Sequence, residues 1–322
     1  RVGAPQRVAG MATATTVTIA PDGQWAYVGD GAEQGQGALT PTGGTRFLNL
    51  PAHDGAPDAA LPTPLSRQHV AMRGDGERIA IVDNSLQRGA TFFLVDGRTR
   101  RVIGQTEAGT LTCLAWSPDG RWLYHGGRRE GNGDAAGQVA VFDAAAFEQA
   151  LIAQNQPGNQ IGRQDVRTFD LDEATIPVSL AVSADGRRLY VGAVHVASEP
   201  DPSPDAAGAP EGRIYAFDTA TGLELPSSPL VMPGLPADLA LTPDGRWLLV
   251  ANDAGNALLA VDANRLTLAQ SVSLGSSPND ILRPTAVEVS ADSRRAYVGN
   301  STGHSISIVD LATWRARTPI AI

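Results

Sequence analysis

Lysine is missing from the 322 residues, and all 25 basic side chains are arginine. Acidic residues outnumber them at 34, leaving a formal charge of -9. Binding to a phosphate backbone draws on clustered positive charge, so this balance argues against nucleic acid as a partner. The single cysteine, Cys113, excludes an internal disulfide and any cysteine cage for zinc. No Cys-x-x-Cys-His occurs, so the chain attaches no c-type haem of its own. No apolar run approaches the roughly 18 residues that a membrane-crossing helix needs. A Gly-x-Ser-x-Gly elbow, a phosphate loop and a dinucleotide fingerprint are likewise missing. The chain opens on Arg1 rather than Met, which suggests a processed or trimmed start. With one cysteine and abundant Thr, Ser, Gly and Pro, the expectation is a periplasmic or secreted protein.

Apolar residues make up 42% of the chain, enough for a substantial core. Their arrangement is repetitive. From Leu239 to Val250 an apolar run meets Pro-Asp-Gly and a second apolar run comes after it, which reads as a β-hairpin. Pro fixes φ, Asp folds its carboxylate onto the turn, and Gly accepts the positive φ. The pattern recurs at Asp22-Gly23, Asp75-Gly76, Asp119-Gly120, Asp185-Gly186, Asp244-Gly245 and Asp292-Ser293, at intervals of 44 to 66 residues. Each hairpin precedes a third apolar strand that usually ends in Asp, an Asx position suited to starting a turn, and then a weaker fourth strand. Small residues recur four positions before the turn Asp, at Thr18, Ala71, Ala115, Ala181 and Ala240. The sixth copy breaks that column with Glu288.

Periods of this size with four strands each indicate a single all-β domain over residues 1–322, a β-propeller of four-stranded antiparallel blades. Six blades are expected, at about 13–60, 66–107, 111–172, 177–231, 236–275 and 284–322, with seven as the alternative. A short helix is expected around Ala144–Gln154, continuing through Asn155–Gln164 as a long connection between blades.

Segments such as Ser183-Ala-Asp-Gly-Arg-Arg-Leu-Tyr-Val-Gly192 and Ser290-Ala-Asp-Ser-Arg-Arg-Ala-Tyr-Val-Gly-Asn300 resemble the YVTN repeat. So does the Pro that opens the first strand at Pro177, Pro236 and Pro284. The resemblance runs from about Val17 onward and implies a propeller akin to the lactonase-like and cytochrome d1-like folds. It implies a fold rather than an activity, because the family includes enzymes, surface proteins and scaffolds.

Function is expected where the loops are elaborated, on the face that carries the second-to-third connections at Asp30–Gly44, Arg128–Gly137 and His195–Gly212. Candidate ligand-binding residues there are Arg67, His69, Asp83, Asn84, His125, Arg128, Asp238, Asn252 and Asn300. His69 stands where the other copies carry Thr16, Cys113, Ser179, Asp238 and Ala286, a small or polar column at the start of a first strand. Glu288 sits among alanines, where a carboxylate must line water, meet an arginine or bind a cation. Each histidine also has a plain structural reading, His125 as a core side chain and His195 and His304 as solvated ones. Glu130, Asn132 and Asp134 alternate with Gly and are weak ligands for a divalent metal such as Ca²⁺, against an ordinary turn.

Three function classes fit. The leading one is recognition of a protein partner or small ligand on the loop face. A second, implied by the resemblance, is a lactonase-like hydrolase in which His69 or Glu288 activates water, with or without a metal. The third is a platform subunit, bearing no haem itself, in a redox assembly.

Overall fold

The computed structural model describes residues 14–19, 25–30, 46–49, 68–83, 90–128, 136–154, 165–196, 210–275, 277, 280–303 and 305–321. Six sheets succeed one another in chain order, each strand bonded to its predecessor except the last, β24. The first holds β1 (Ala14–Ile19), β2 (Trp25–Asp30) and β3 (Arg46–Asn49). The second holds β4 (Gln68–Met72), β5 (Arg78–Asp83), β6 (Ala90–Asp96) and β7 (Val102–Gly109). The third has β8 (Leu111–Trp116), β9 (Trp122–Arg128), β10 (Gly137–Asp143) and, after helix α1 (Ala144–Gln154), β11 (Asp165–Asp170). The fourth is β12 (Thr175–Val182), β13 (Arg188–His195), β14 (Glu211–Asp218) and β15 (Leu230–Met232). The fifth is β16 (Pro236–Leu241), β17 (Trp247–Asn252), β18 (Ala257–Asp262) and β19 (Thr267–Ser273). The sixth is β20 (Pro284–Val289), β21 (Arg295–Asn300) and β22 (Ser305–Asp310), with β23 (Arg315–Ala316) and β24 (Ile320–Ala321) both paired to β22. The chain divides into two compact units, residues 1–125 with 141–166 and residues 126–140 with 167–322, the division passing through the third sheet.

The hairpin turns repeat to the atom. A Ser or Thr at the end of the first strand bonds the turn Asp and also accepts the N–H that opens the second strand. Ser183 Oγ donates to Asp185 Oδ1 at 2.6 Å and accepts Arg188 N at 2.9 Å. Ser117, Thr242 and Ser290 repeat this with Asp119, Asp244 and Asp292. In the second sheet Arg73 takes the place of that hydroxyl and donates Nε to Asp75 at 2.9 Å. Gly76, Gly120, Gly186 and Gly245 all have φ near +70°, whereas Ser293 is held at +56°.

The Asp that ends each third strand also behaves as its residue type requires. Asp96, Asp218, Asp262 and Asp310 each accept two successive backbone N–H groups of the next turn. Asp143 does the same for Ala145 N and Ala146 N, both at 3.1 Å, but there the alanine-rich sequence propagates the turn into helix α1. This corrects one sequence expectation. The helix and residues 155–164 connect the third and fourth strands of one sheet and do not link neighbouring sheets.

Within each unit the sheets pack face to face. In the first unit Tyr27 joins Ile79, Ile81, Phe93 and Val95, while Ala80, Val82 and Phe92 meet Leu114, Leu123 and the helix residues Phe147 and Leu151. In the second, Tyr190 and Ile214 pack with Leu248, Val250 and Leu259, and the other face of the fifth sheet meets Val287, Val298 and Val309. Second strands are therefore apolar on both faces. Gly192 is fixed by this packing, because a Cβ there would crowd Leu239 and Pro236 of the next sheet.

Candidate functional site

The hairpin turns and the other connections of each sheet differ sharply. First-to-second connections are five residues long in all six sheets. Second-to-third connections, at the opposite end, range from four residues in the fifth and sixth sheets to fifteen in the first and fourth. Third-to-fourth connections, at the same end as the five-residue turns, also vary, from four residues in the fifth and sixth sheets to 21, helix α1 included, in the third. In the second unit the first strands carry a polar cluster.

The first strands β16 and β20 open on a proline and β12 has one at its third residue, and each slips register just after it, between Pro177 and Ser179, Pro236 and Asp238, and Pro284 and Ala286. Proline has no N–H to give the ladder, and the bulge re-aims the residue after it. Ser179 and Asp238 thereby reach across strands. Ser179 Oγ donates to Asp238 Oδ1 at 2.9 Å and accepts Leu239 N at 3.1 Å. Asp238 Oδ1 also accepts Leu239 N at 2.8 Å, and its Oδ2 accepts Val287 N at 3.0 Å. One carboxylate thus ties β12, β16 and β20 together. These are edge strands, and the bonds occupy N–H groups that the edges would otherwise leave open.

Beside this clasp lies Glu288. No arginine pairs with it among the described residues, and its side chain keeps contact with solvent. Burial pushes Asp238 up to about 6, against the three bonds that favour its charged form. Crowding by protein, and then the Asp238 charge, push Glu288 up to about 7. The Asp238 charge thus disfavours ionisation of Glu288 beside it. Glu288 is solvent-exposed, so water screens its repulsion with Asp238.

The remaining sequence candidates are dispersed over both units. His69, on β4 opposite Val82, belongs to the first unit and is pushed down to about 4 by burial, so its imidazole is neutral at physiological pH. His125 stacks on Phe142 at 4.3 Å and 25°, within the first unit's apolar interior. Arg128 ends β9 and is exposed. Asp83 ends β5, opposite Gln68 and Thr91. Asn252 and Asn300 occupy matching places, opposite Pro236 and Pro284, and each is 2% exposed. Asn252 Nδ2 donates to Pro233 O at 2.7 Å, and Asn300 Nδ2 to Ser305 and Ser307 Oγ at 3.1 and 2.9 Å, so one amide braces the connection into β16 and the other the neighbouring strand β22. Arg67, Asn84, Glu130, Asn132, Asp134 and His304 lie outside the described residues. Among the described residues no three of His, Cys, Asp and Glu are grouped as a metal ion would need.

A second polar group went unread in the sequence. Asp172 Oδ2 accepts both Arg213 Nη1 and Tyr215 Oη at 2.8 Å, while Arg213 Nε reaches Glu211 at 2.7 Å. His195 lies opposite both Thr175 and Glu211, with Nδ1 3.1 Å from Thr175 Oγ1. The alternation Glu211-x-Arg213-x-Tyr215 on one strand face was its available signal.

Among known families, the profile for the WD domain, G-beta repeat, matches residues 97–131. No curated protein matches the chain significantly. The hydrazine synthase of Kuenenia stuttgartiensis superposes with a TM-score of 0.67 at 14% identity, over 97% of this chain and 80% of that one. The β-propeller domain of Cps50 (Swd1) from Myceliophteria thermophila superposes with a TM-score of 0.64 at 12% identity, over 98% and 89%. The chain has a β-propeller fold, its six sheets corresponding to blades.

Proposed function

We propose that this chain is a recognition propeller of the YVTN type, working in the periplasm or outside the cell, that binds a protein partner or small ligand through the end bearing its second-to-third connections. The observation that carries the reading is the contrast between first-to-second turns of five residues throughout and second-to-third connections of four to fifteen residues. A repeated scaffold whose matching hairpins lead into second-to-third connections of such different length is how rigid folds present binding loops. The Tyr-Val-Gly segments at Tyr190 and Tyr297 lie in second strands, as the repeat requires. Asp238, third in β16, and Glu288, fifth in β20, give these first strands an acidic character, which favours basic over acidic groups in what docks against them.

The test replaces residues 196–210 with the four-residue connection Asp253–Asn256 of the fifth sheet. Binding partners would be captured from the periplasmic and extracellular fractions of the source cells on both proteins. Loss of a partner at unchanged thermal stability supports the reading. Identical capture by both, or a chain found only in the cytoplasmic fraction, overturns it.

A further inference from the structure

The fourth strands are the outer edges of their sheets, and an open edge invites pairing with another chain. Most of them are blunted. Strand β7 has helix α1 against it, Leu151 lying on Gly104. Strand β11 carries Asp165, Arg167 and Asp170 in six residues. Strand β15 is three residues long and is bracketed by Pro229 and Pro233. In the sixth sheet β23 and β24 have two residues each, separated by Arg317-Thr318-Pro319.

Strand β19 has no helix over it among the described residues, and its one interruption is a bulge. Its seven residues, Thr-Leu-Ala-Gln-Ser-Val-Ser, include no charge and no proline, and every side chain but Val272 is exposed. It ends the bonded order of its sheet, so no described strand covers its outer side. The uncharged run continues to Ser277, in a chain where 18% of residues are charged. Its single bulge, at Ala269, leaves the pairing of Gln270 to Ser273 regular.

We propose that β19 is a self-association edge, pairing antiparallel with β19 of a second copy about a two-fold axis near Gln270. Charge selects that occupant. Two chains of net charge -9 repel, and their contact must avoid carboxylates; Thr267–Ser273 is the fourth-strand edge that offers this over a full strand length. Nor does it hold a charge with which to select a basic or acidic peptide. About the two-fold, amide meets amide and no like charges oppose each other. A strand of this length spans roughly 23 Å. The contact falls short of the about 1,200 Å² typical of stable complexes, so the dimer is concentration-dependent.

Sedimentation velocity on the full chain over a concentration series tests this. The expected result is a shift from monomer toward dimer with rising concentration. The double variant Gln270→Lys, Ser271→Lys should stay monomeric with an unchanged melting temperature. A Gln270→Cys variant should cross-link to itself under mild oxidation, because the native Cys113 is buried. A wild-type chain that stays monomeric to its solubility limit, or a doubly charged variant that dimerises like wild type, overturns the proposal. So does a Gln270→Cys chain that oxidises only to mixed disulfides with small thiols.

Discussion

Replacing Glu288 by Gln should stabilise the second unit, by an amount that grows as pH rises from 4.5 to 7 and is complete above that. In the folded chain Asp238 and Glu288 hold their protons to about 6 and about 7, against ordinary values of 3.8 and 4.5. A carboxyl whose folded value is raised binds protons that the unfolded chain has already released, so its contribution falls as pH rises through that window. For Asp238 the loss between about pH 4 and 6 amounts to roughly 3 kcal/mol at most, since one pH unit corresponds to about 1.4 kcal/mol. Glu288 is solvent-exposed, so its mutual repulsion with Asp238 lies near the lower end of the ~1 to ~4 kcal/mol range for unit charges about 4 Å apart. Urea unfolding of wild type and Glu288→Gln at pH 4.5, 6 and 8 would read this. The stability difference should open between pH 4.5 and 7 and reach about 1 kcal/mol at pH 8. Peptide-resolved hydrogen exchange should place the gain in β12, β16 and β20. Parallel pH curves, or a variant less stable at pH 8, would refute the reasoning. The turn carboxylates run the other way. Asp185, held low by Ser183, and Asp244, held low by Thr242, lend stability above their ordinary value that is lost on acidification. Stability of the second unit should therefore peak on the acid side of neutrality.

Ser293→Gly should gain about 0.5 kcal/mol, because a side chain at positive φ costs roughly 1 kcal/mol or more and the lost bond, Asp244 N to Ser293 Oγ at 3.2 Å, is exposed. Equilibrium unfolding checks it, and a net loss counts against the turn argument. Gly234→Ala should cost at least about 2 kcal/mol, since φ is +84° and the new Cβ would strike the buried Asn252 amide; partial recovery in the Gly234→Ala, Asn252→Ala double variant would identify the collision. Glu148→Ala should cost on the order of 1–2 kcal/mol by removing the paired Arg78 Nε and Nη2 bonds at 2.9 and 2.8 Å. Faster exchange confined to helix α1 and β7 is its expected signature.

The hairpins were legible because their code is local. A Ser or Thr, an Asp and a Gly within a few residues fix a turn whose bonds close on themselves, and the Asp ending each third strand caps the next turn in the same way. The third sheet shows the limit of local reading. Asp143 starts the expected turn, yet Ala144-Ala145-Ala146 favours helix, and only pairing with β10 identifies β11 as the same sheet's fourth strand. Fourth strands gave weak signals for a physical reason: β19 is exposed on nearly every residue, so no core demands an apolar pattern of it.

The site was half legible for a related reason. Glu288 and Asp238 stood out as departures from small-residue columns, and the structure puts them side by side. Nothing in the spacing revealed that Asp238 would accept Val287 N while Ser179 donates to it, because those partners lie 49 and 59 residues away on separate sheets. His69 was as conspicuous in its column, yet it belongs to the other compact unit and carries a neutral ring. An outlier in a repeat thus marks a position that the scaffold does not dictate; its chemistry depends on what neighbouring repeats place beside it. For Glu288 that neighbour is a like charge, which a scaffold optimised for stability alone would have replaced with the alanine found at positions 181 and 240. A costly carboxylate there makes the first strands of the second unit, rather than the repeated hydroxyl–Asp turns, the place to look for binding.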